Sequence, residues 1–324
     1  MGGGERKNGM DVKVLNRKFL DIEFLPIPQS IVSFEDYPKR ENDCLCLLSG
    51  GVDSLVGAID LAEEGRKPLF VSQIVRGDAE HQREFAHLFG ENNLCQWSCF
   101  ISKRSESENS TRARSIVFFA YALLASCGIE AGSSGRKEFI IPENGFISLN
   151  TPLDSNRIGS LSTKTTHPIY MSLLQDIWNT VGLDIDLVLP YRYKTKGEVV
   201  SDCRNKEILL RTVFDSTSCG KFLRHGYWHC GTCVPCLVRR AAFLKAGLTD
   251  STTKGYCIKD LKGVQSKDVA AVQMAVMQEE KYGIESVIKG SLSFASAEER
   301  EQYKGVVLRG IDELRELLRR QGVI

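Results

Sequence analysis

The sequence predicts an α/β fold: a mostly parallel sheet flanked by helices, then a cysteine-rich segment and a helical C-terminal extension. Three observations carry that prediction. Short apolar runs alternate with stretches of helical periodicity between residues 43 and 212. Four cysteines crowd into residues 219–236. Two amphipathic stretches close the chain beyond about residue 255. Strands that alternate with helices are joined by crossovers, which makes neighbouring strands parallel and covers the sheet on both faces.

Each element follows from its local pattern. Residues 11–35 alternate weakly and read as short strands in an N-terminal extension, 1–42. DCLCLLSG is an apolar strand ending in two glycines, and VDSLVGAIDLAEEG then has helical periodicity closed by Gly65. KPLFVSQIV, LCQWSCFISK and EFIIP are further strands, separated by the helices AEHQREFAHLFG and RARSIVFFAYALLASCG. Residues 142–168 are rich in Asn, Gly, Ser and Thr and read as a long loop of the kind that carries function. YMSLLQDIWNTVG and KGEVVSDCRNKEILLRTV are helices, and VRRAAFLKAG is a helix leaving the cysteine cluster. The expected division is a core at 43–212, a cysteine segment with its helix at 213–250, and a helical extension at 251–324. There, Ile311, Leu314, Leu317 and Leu318 form a core-facing stripe.

Composition excludes several classes. Lys plus Arg (42) against Asp plus Glu (41) leaves a formal charge of +1 over 324 residues, which gives no field for extended nucleic-acid binding. No apolar stretch approaches 18 residues, MGGGERKNGM has no signal-type apolar region, and Arg6 breaks the myristoylation pattern. A cytoplasmic protein without membrane contact is expected. Eleven cysteines in such a chain argue against a disulfide framework.

The turn Ser49-Gly50-Gly51-Val52-Asp53-Ser54 lies between a strand and a helix. Glycines there let backbone N–H groups converge at a helix N-terminus, which is an anion site. Ser49 and Ser54 add hydroxyl donors, whereas a plain turn would use Asp53 or Ser54 as the helix cap. The pattern is neither Gly-x4-Gly-Lys-Ser/Thr nor Gly-x-Gly-x-x-Gly. It resembles the pyrophosphate loop of the N-type ATP pyrophosphatases. That resemblance implies an adenine nucleotide alpha hydrolase-like fold, and ATP attacked at its α-phosphate to give an adenylate and pyrophosphate. It also implies that Asp53 acts through Mg²⁺.

Cys219, Cys230, Cys233 and Cys236 are spaced x10, x2 and x2. Four thiolates so close repel unless a cation holds them, so a structural zinc is expected, with an iron–sulfur cluster as the rival. His225 and His229 stand nearby as spare ligands.

Together SGGVDS, KGEVV at 196–200 and HCGTCVPCLVRRAAFLKAG at 229–247 resemble the 7-cyano-7-deazaguanine synthase (QueC-like) family, over about residues 43–250. The resemblance implies ATP-dependent activation of 7-carboxy-7-deazaguanine, with the four cysteines on zinc. The middle departs from the family: VRGDAEHQREF stands where a Tyr-Gly-Gln-Arg-His type segment is usual, and the 142–168 interval lacks an Asp-Cys-Arg element. Those departures, with the added termini, look like the relatives found in anti-phage defence. They imply transfer to an amine on a partner protein instead of ammonia, in a chain that could act as a homodimer. A tRNA-thiolating relative and a non-catalytic nucleotide-binding scaffold are the other readings.

The resemblance and the residue chemistry give a site. Asp53, Lys196 and Lys164 are the catalytic set. Leu48, Ser49, Gly50, Gly51, Asp53, Ser54 and Arg114 are expected to hold ATP. Arg112, Glu143, Asn144, Asp154 and His167 are expected to hold the 7-deazapurine carboxylate.

Overall fold

A computed structural model describes residues 6–7, 10–11, 40–74, 77–98, 114–151, 153, 165–288 and 291–324. The chain divides into two units, Met1–Pro38 and Lys39–Ile324. In the first, β1 (Arg6–Lys7) pairs antiparallel with β2 (Met10–Asp11); the strands expected within 11–35 otherwise lie outside the described residues. The second unit holds the α/β core.

Its sheet has the order β5-β4-β3-β6-β7, every pairing parallel, formed by β3 (Cys44–Leu47), β4 (Pro68–Gln73), β5 (Leu94–Trp97), β6 (Lys137–Ile140) and β7 (Ile185–Val188). Strand β3 is central and buried on both faces, which is why CLCL is apolar throughout instead of alternating with polar residues. Its side chains nevertheless split by a period of two. Cys44 and Cys46 face α1 (Val52–Glu63) and α2 (Ala79–His87), packing with Leu55, Ile59 and Phe85. Leu45 faces α3 (Arg114–Ser126) and the later helix α5 (Pro168–Thr180), packing with Phe119, Ala122 and Trp178. The result is three layers.

The helices therefore change faces between β3 and β6, a topological switch whose crevice opens at the C-terminal ends of those two strands. The SGGVDS turn follows β3, and Glu143 and Asn144 follow β6. Topology alone brings them together.

Two local features differ from the sequence reading. The 142–168 interval holds a helix, α4 (Gly145–Leu149), whose N-cap Asn144 accepts from the Ile147 N–H at 3.1 Å. Five residues are too few to show a helical period. The stretch KGEVVSDCRNKEILLRTV forms two helices, α6 (Lys196–Asp202) and α7 (Lys206–Thr212). The chain extends at Cys203, and Asn205 caps the second helix by accepting from Ile208 N–H at 3.0 Å.

Beyond α8 (Val234–Lys245), helices α9 (Lys267–Tyr282), α10 (Ile284–Ile288) and α11 (Ala297–Arg320) complete the chain. Their apolar faces share one core with Phe146 and Leu149 of α4 and with Leu237, Val238 and Ala241 of α8. The C-terminal helices are thus built into the core unit. Among the described residues, no helix is long and apolar enough to cross a membrane.

This shared core makes a prediction. The chain's three tryptophans, Trp97, Trp178 and Trp228, all lie outside α9–α11. Leu314→Ala, at a site 1% exposed, should cost about 2–5 kcal/mol. It should move the urea midpoints of tryptophan fluorescence and far-UV circular dichroism together. A fluorescence midpoint left in place would show that the C-terminal helices melt on their own.

Candidate active site

The turn after β3 is shaped by its backbone. Gly50 has φ +84°, a left-handed conformation that strains any residue with a Cβ. Gly51 is the N-cap of α1, and no side chain caps that helix, so its first-turn N–H groups face out from the end of a 12-residue dipole. The alternative of Asp53 or Ser54 as a cap is not what the chain does. Ser49 and Ser54 brace the turn: Ser54 Oγ donates to the Gly51 carbonyl at 3.0 Å and accepts from Ser49 N–H at 3.2 Å, while Gly51 N–H meets Ser49 Oγ at 3.4 Å. Leu48 is fully buried beneath them, its carbonyl accepting from Ser72 Oγ at 2.5 Å.

Beside the turn sits a buried ion pair. Lys196 Nζ lies 2.6 Å from Asp53 Oδ1, with the residues 8% and 9% exposed. Asn144 Nδ2 donates to the other carboxylate oxygen at 2.6 Å, and its backbone N–H approaches at 3.4 Å. Lys196 opens α6, whose N-terminus is fixed by a capping box between Thr195 and Glu198. Glu143 faces the same space; burial raises its pKa, opposed by the hydrogen bond from Thr166 and by Lys196, while Asp53 adds to the rise.

These groups line a cavity of about 430 Å³. Its lining combines polar groups (the turn, Asp53, Lys196 and Glu143) with the apolar Leu47, Phe118, Phe119 and Ile147. A helix N-terminus, an ammonium and phenyl rings in one lining suit an anionic group attached to a flat apolar body. Asp78, Thr217 and Ser218 form a further part of the cavity wall.

That wall is held from behind. Thr217 N–H donates to the Gly50 carbonyl at 2.8 Å. Arg239 of α8, with no exposed surface, donates to Ser216 O at 3.0 Å, Ser216 Oγ at 2.7 Å, Val213 O at 3.0 Å and Thr252 Oγ1 at 3.1 Å. Burial lowers its pKa, yet these acceptors and Asp250 keep a guanidinium tenable there.

Cys219 and Gly220 reach the cavity edge, and the four cysteines converge just beyond. The Sγ atoms of Cys219 and Cys233 are 3.9 Å apart, as are those of Cys230 and Cys236. All four lie within 4.8 Å of one another. Thiolates bonded tetrahedrally at about 2.3 Å have edges of about 3.8 Å, so this set is spaced to hold a metal ion. The N–H groups of Lys221 and Cys230 both point at Cys219 Sγ at 3.3 Å, support that suits a thiolate. His229 is not a fifth ligand: its Nε2 accepts from Ser218 N–H at 3.2 Å. Burial, with Arg239 nearby, pushes its pKa down to about 4, so it stays neutral. His225 is exposed.

Of the expected site residues, Ser49, Gly51, Asp53, Ser54, Lys196 and Glu143 come together around one cavity. Asn144 stands behind Asp53 with no exposed surface, where it orients the carboxylate instead of facing a ligand. His167 is also placed away from the cavity, as the N-cap of α5 packed edge-on to Phe294. Arg112, Asp154 and Lys164 lie outside the described residues, and so does the side chain of Arg114, which opens α3. Arg239 was missed by sequence reasoning, although a charge amid the otherwise buried run LVRRAAF is a visible signal.

The chain is similar to curated proteins of one name. It is 44% identical over 70 residues to the 7-cyano-7-deazaguanine synthase of Chelativorans sp. (strain BNC1), covering 21% of this chain and 27% of that protein. It is 39% identical over 71 residues to those of Brucella ovis and Brucella melitensis biotype 2, covering 22% of this chain and 28% of each. The chain thus spans little more than a quarter of the length of the relatives it matches. No family model matches the chain. No solved structure matches it significantly. Over this short stretch the similarity to 7-cyano-7-deazaguanine synthases is weak but consistent.

Proposed function

We propose that the chain is an adenine nucleotide alpha hydrolase-like ligase that adenylates a 7-carboxy-7-deazaguanine-like acid and passes it to an amine. The observation that carries this reading is the Asp53–Lys196 pair at the uncapped N-terminus of α1. In the first step an oxygen of the substrate carboxylate bonds to the α-phosphorus of ATP, and the bond to pyrophosphate breaks. Negative charge grows on the leaving pyrophosphate, where the N–H groups of α1 and the Lys196 ammonium stabilise it. Phe118 and Phe119 of the cavity lining take the flat rings. In the second step the amine nitrogen bonds to the acyl carbon, AMP leaves, and Glu143 is the base placed to take the proton.

Asp53 and Asp78 each bring a carboxylate to the cavity lining, of the hard oxygen type that Mg²⁺ takes, and Mg²⁺ bound there would neutralise phosphate charge. The four cysteines fit zinc in a structural role, since four thiolates leave no open position. The acceptor we place on a partner protein in anti-phage defence, because the 142–168 interval departs from the family pattern and the chain carries added segments before residue 43 and after residue 250. Nitrile synthesis with ammonia is the second reading, favoured by the name that the relatives carry.

Pyrophosphate release from ATP and Mg²⁺ should depend on 7-carboxy-7-deazaguanine, and Lys196→Met should lower it by roughly 10²–10³-fold. Acid-independent hydrolysis, or none, would sink adenylation of this substrate. Intact mass spectrometry then separates the acceptors: a nitrile formed with ammonia, or a covalent increment on a protein amine.

The cysteine site is checked by metal analysis. One zinc per chain and no visible absorption are expected, and Cys233→Ser or chelation should lower the melting temperature and abolish turnover together, since Thr217 is tethered beside the site. Stoichiometric iron with a visible absorption band would overturn the zinc assignment.

A further inference from the structure

Helix α11 carries one charged residue on its otherwise apolar buried face. Glu313, 8% exposed, lies among Val306, Val307, Gly310, Ile311, Leu314, Leu317 and Leu318. A carboxylate there loses hydration, so its place in the stripe needs a partner. The partners belong to the turn that presents Lys196. Thr195 Oγ1 donates to Glu313 Oε1, and Gly197 N–H donates to Oε2 at 3.3 Å. Gly197 makes room for this, since a Cβ at that position would lie 2.5 Å from Oε1. One turn earlier on α11, Arg309 donates to both Glu198 oxygens, at 2.5 and 3.3 Å, and to the Tyr193 carbonyl at 2.9 Å. The residues on either side of Lys196 are therefore both held by one side chain of the C-terminal helix.

We propose that Glu313 is a positioning residue for Lys196, which makes the C-terminal helix part of the active site and more than its cover. Lys196 must hold its ammonium 2.6 Å from Asp53 at the cavity lining, and a turn free to shift would spread that aim. The effect on catalysis rests on the adenylating reading above; the positional claim does not.

Burial pushes the Glu313 pKa up to about 7, opposed by Thr195 and Gly197. Glu198 on α6 raises it further and Lys245 on α8 lowers it. Arg309, Asp312, Glu316 and Arg320 of α11 line the same cleft. Between about pH 4.5 and 7 the folded chain keeps a proton here that the unfolded chain releases. Stability from this group therefore falls as pH rises through that window.

The test is a cycle of full-length variants unfolded in urea: wild type, Glu313→Gln, Lys196→Met and the pair. Positioning predicts that the midpoint loss caused by E313Q in the K196M background is less than half of its value in wild type. Equal losses in both backgrounds mean that Glu313 only packs, and overturn the proposal. Where E313Q does not fold, Glu313→Asp draws the carboxylate back from both donors and replaces it in the cycle, leaving the Thr195 cap of α6 intact. In pyrophosphate release, E313Q should lower kcat about tenfold with KM for ATP within about twofold, and should lose the inflection near pH 7. A kcat and pH profile equal to wild type also overturn the proposal. A wild type without pyrophosphate release, yet with the unfolding coupling intact, overturns the adenylating reading and leaves this inference standing.

Discussion

The buried pair of Asp53 and Lys196 is the constraint on which the rest of the molecule depends. Neither group tolerates burial alone, because an unpaired carboxylate or ammonium out of water costs several kcal/mol. Each comes from a different stretch of chain: Asp53 from α1 and Lys196 from α6, while Asn144, which orients the carboxylate, precedes α4. Such a pair is weak support for stability by itself, since apolar residues of similar volume would do as well. Its value lies in keeping a cation and an acid poised beside an uncapped helix end, at the edge of a cavity.

Holding that arrangement takes buried polar groups at every contact. Arg239 fixes the 213–218 segment, and Thr217 in turn bonds the Gly50 carbonyl, so the glycine turn is held from the cysteine side. The four cysteines follow at once, with Cys219 at the cavity edge. A metal bound by four thiolates would act as the anchor of that wall, because its ligands come from both sides of the 220–229 excursion. The cysteine cluster and the glycine turn are thus tied together through Cys219, Thr217 and Gly50.

Much of this was legible in the sequence, and physics explains which part. Elements whose signal is local were readable: CLCL before two glycines, the helical period after them, and cysteines at x2 spacing. The apolar stripe of α11 was also readable as core. What stayed hidden were partnerships made by topology. Asn144 meets Asp53 91 residues away, and Thr195 meets Glu313 118 residues away. No local pattern encodes either. Asn144 and His167 looked like ligand-binding groups because both are polar residues in a loop. Yet Asn144 caps a helix too short to show a period, and His167 caps one that starts two residues earlier than its readable pattern shows. The usable clue was the misfit: Arg239 and Glu313 are charges inside buried runs, and both turned out to hold the walls of the site.

The C-terminal core closes a mechanical circuit around the ion pair. Its apolar cluster takes in Phe146 and Leu149 of α4 as well as Ile311, Leu314 and Leu318 of α11. Helix α4 begins at Asn144, which grips Asp53; helix α11 carries Glu313, which grips the turn bearing Lys196. Asn144 and Glu313 are thus both tied to that cluster, while the helices bearing the pair itself, α1 and α6, pack in a neighbouring one with Leu55, Ile59, Val199 and Val200. Surface pairs such as Arg309–Glu198 add direction but little energy, being open to solvent. The buried carboxylate is the contact that cannot slip without leaving a donor unsatisfied, and through it the last helix of the chain reaches the first motif.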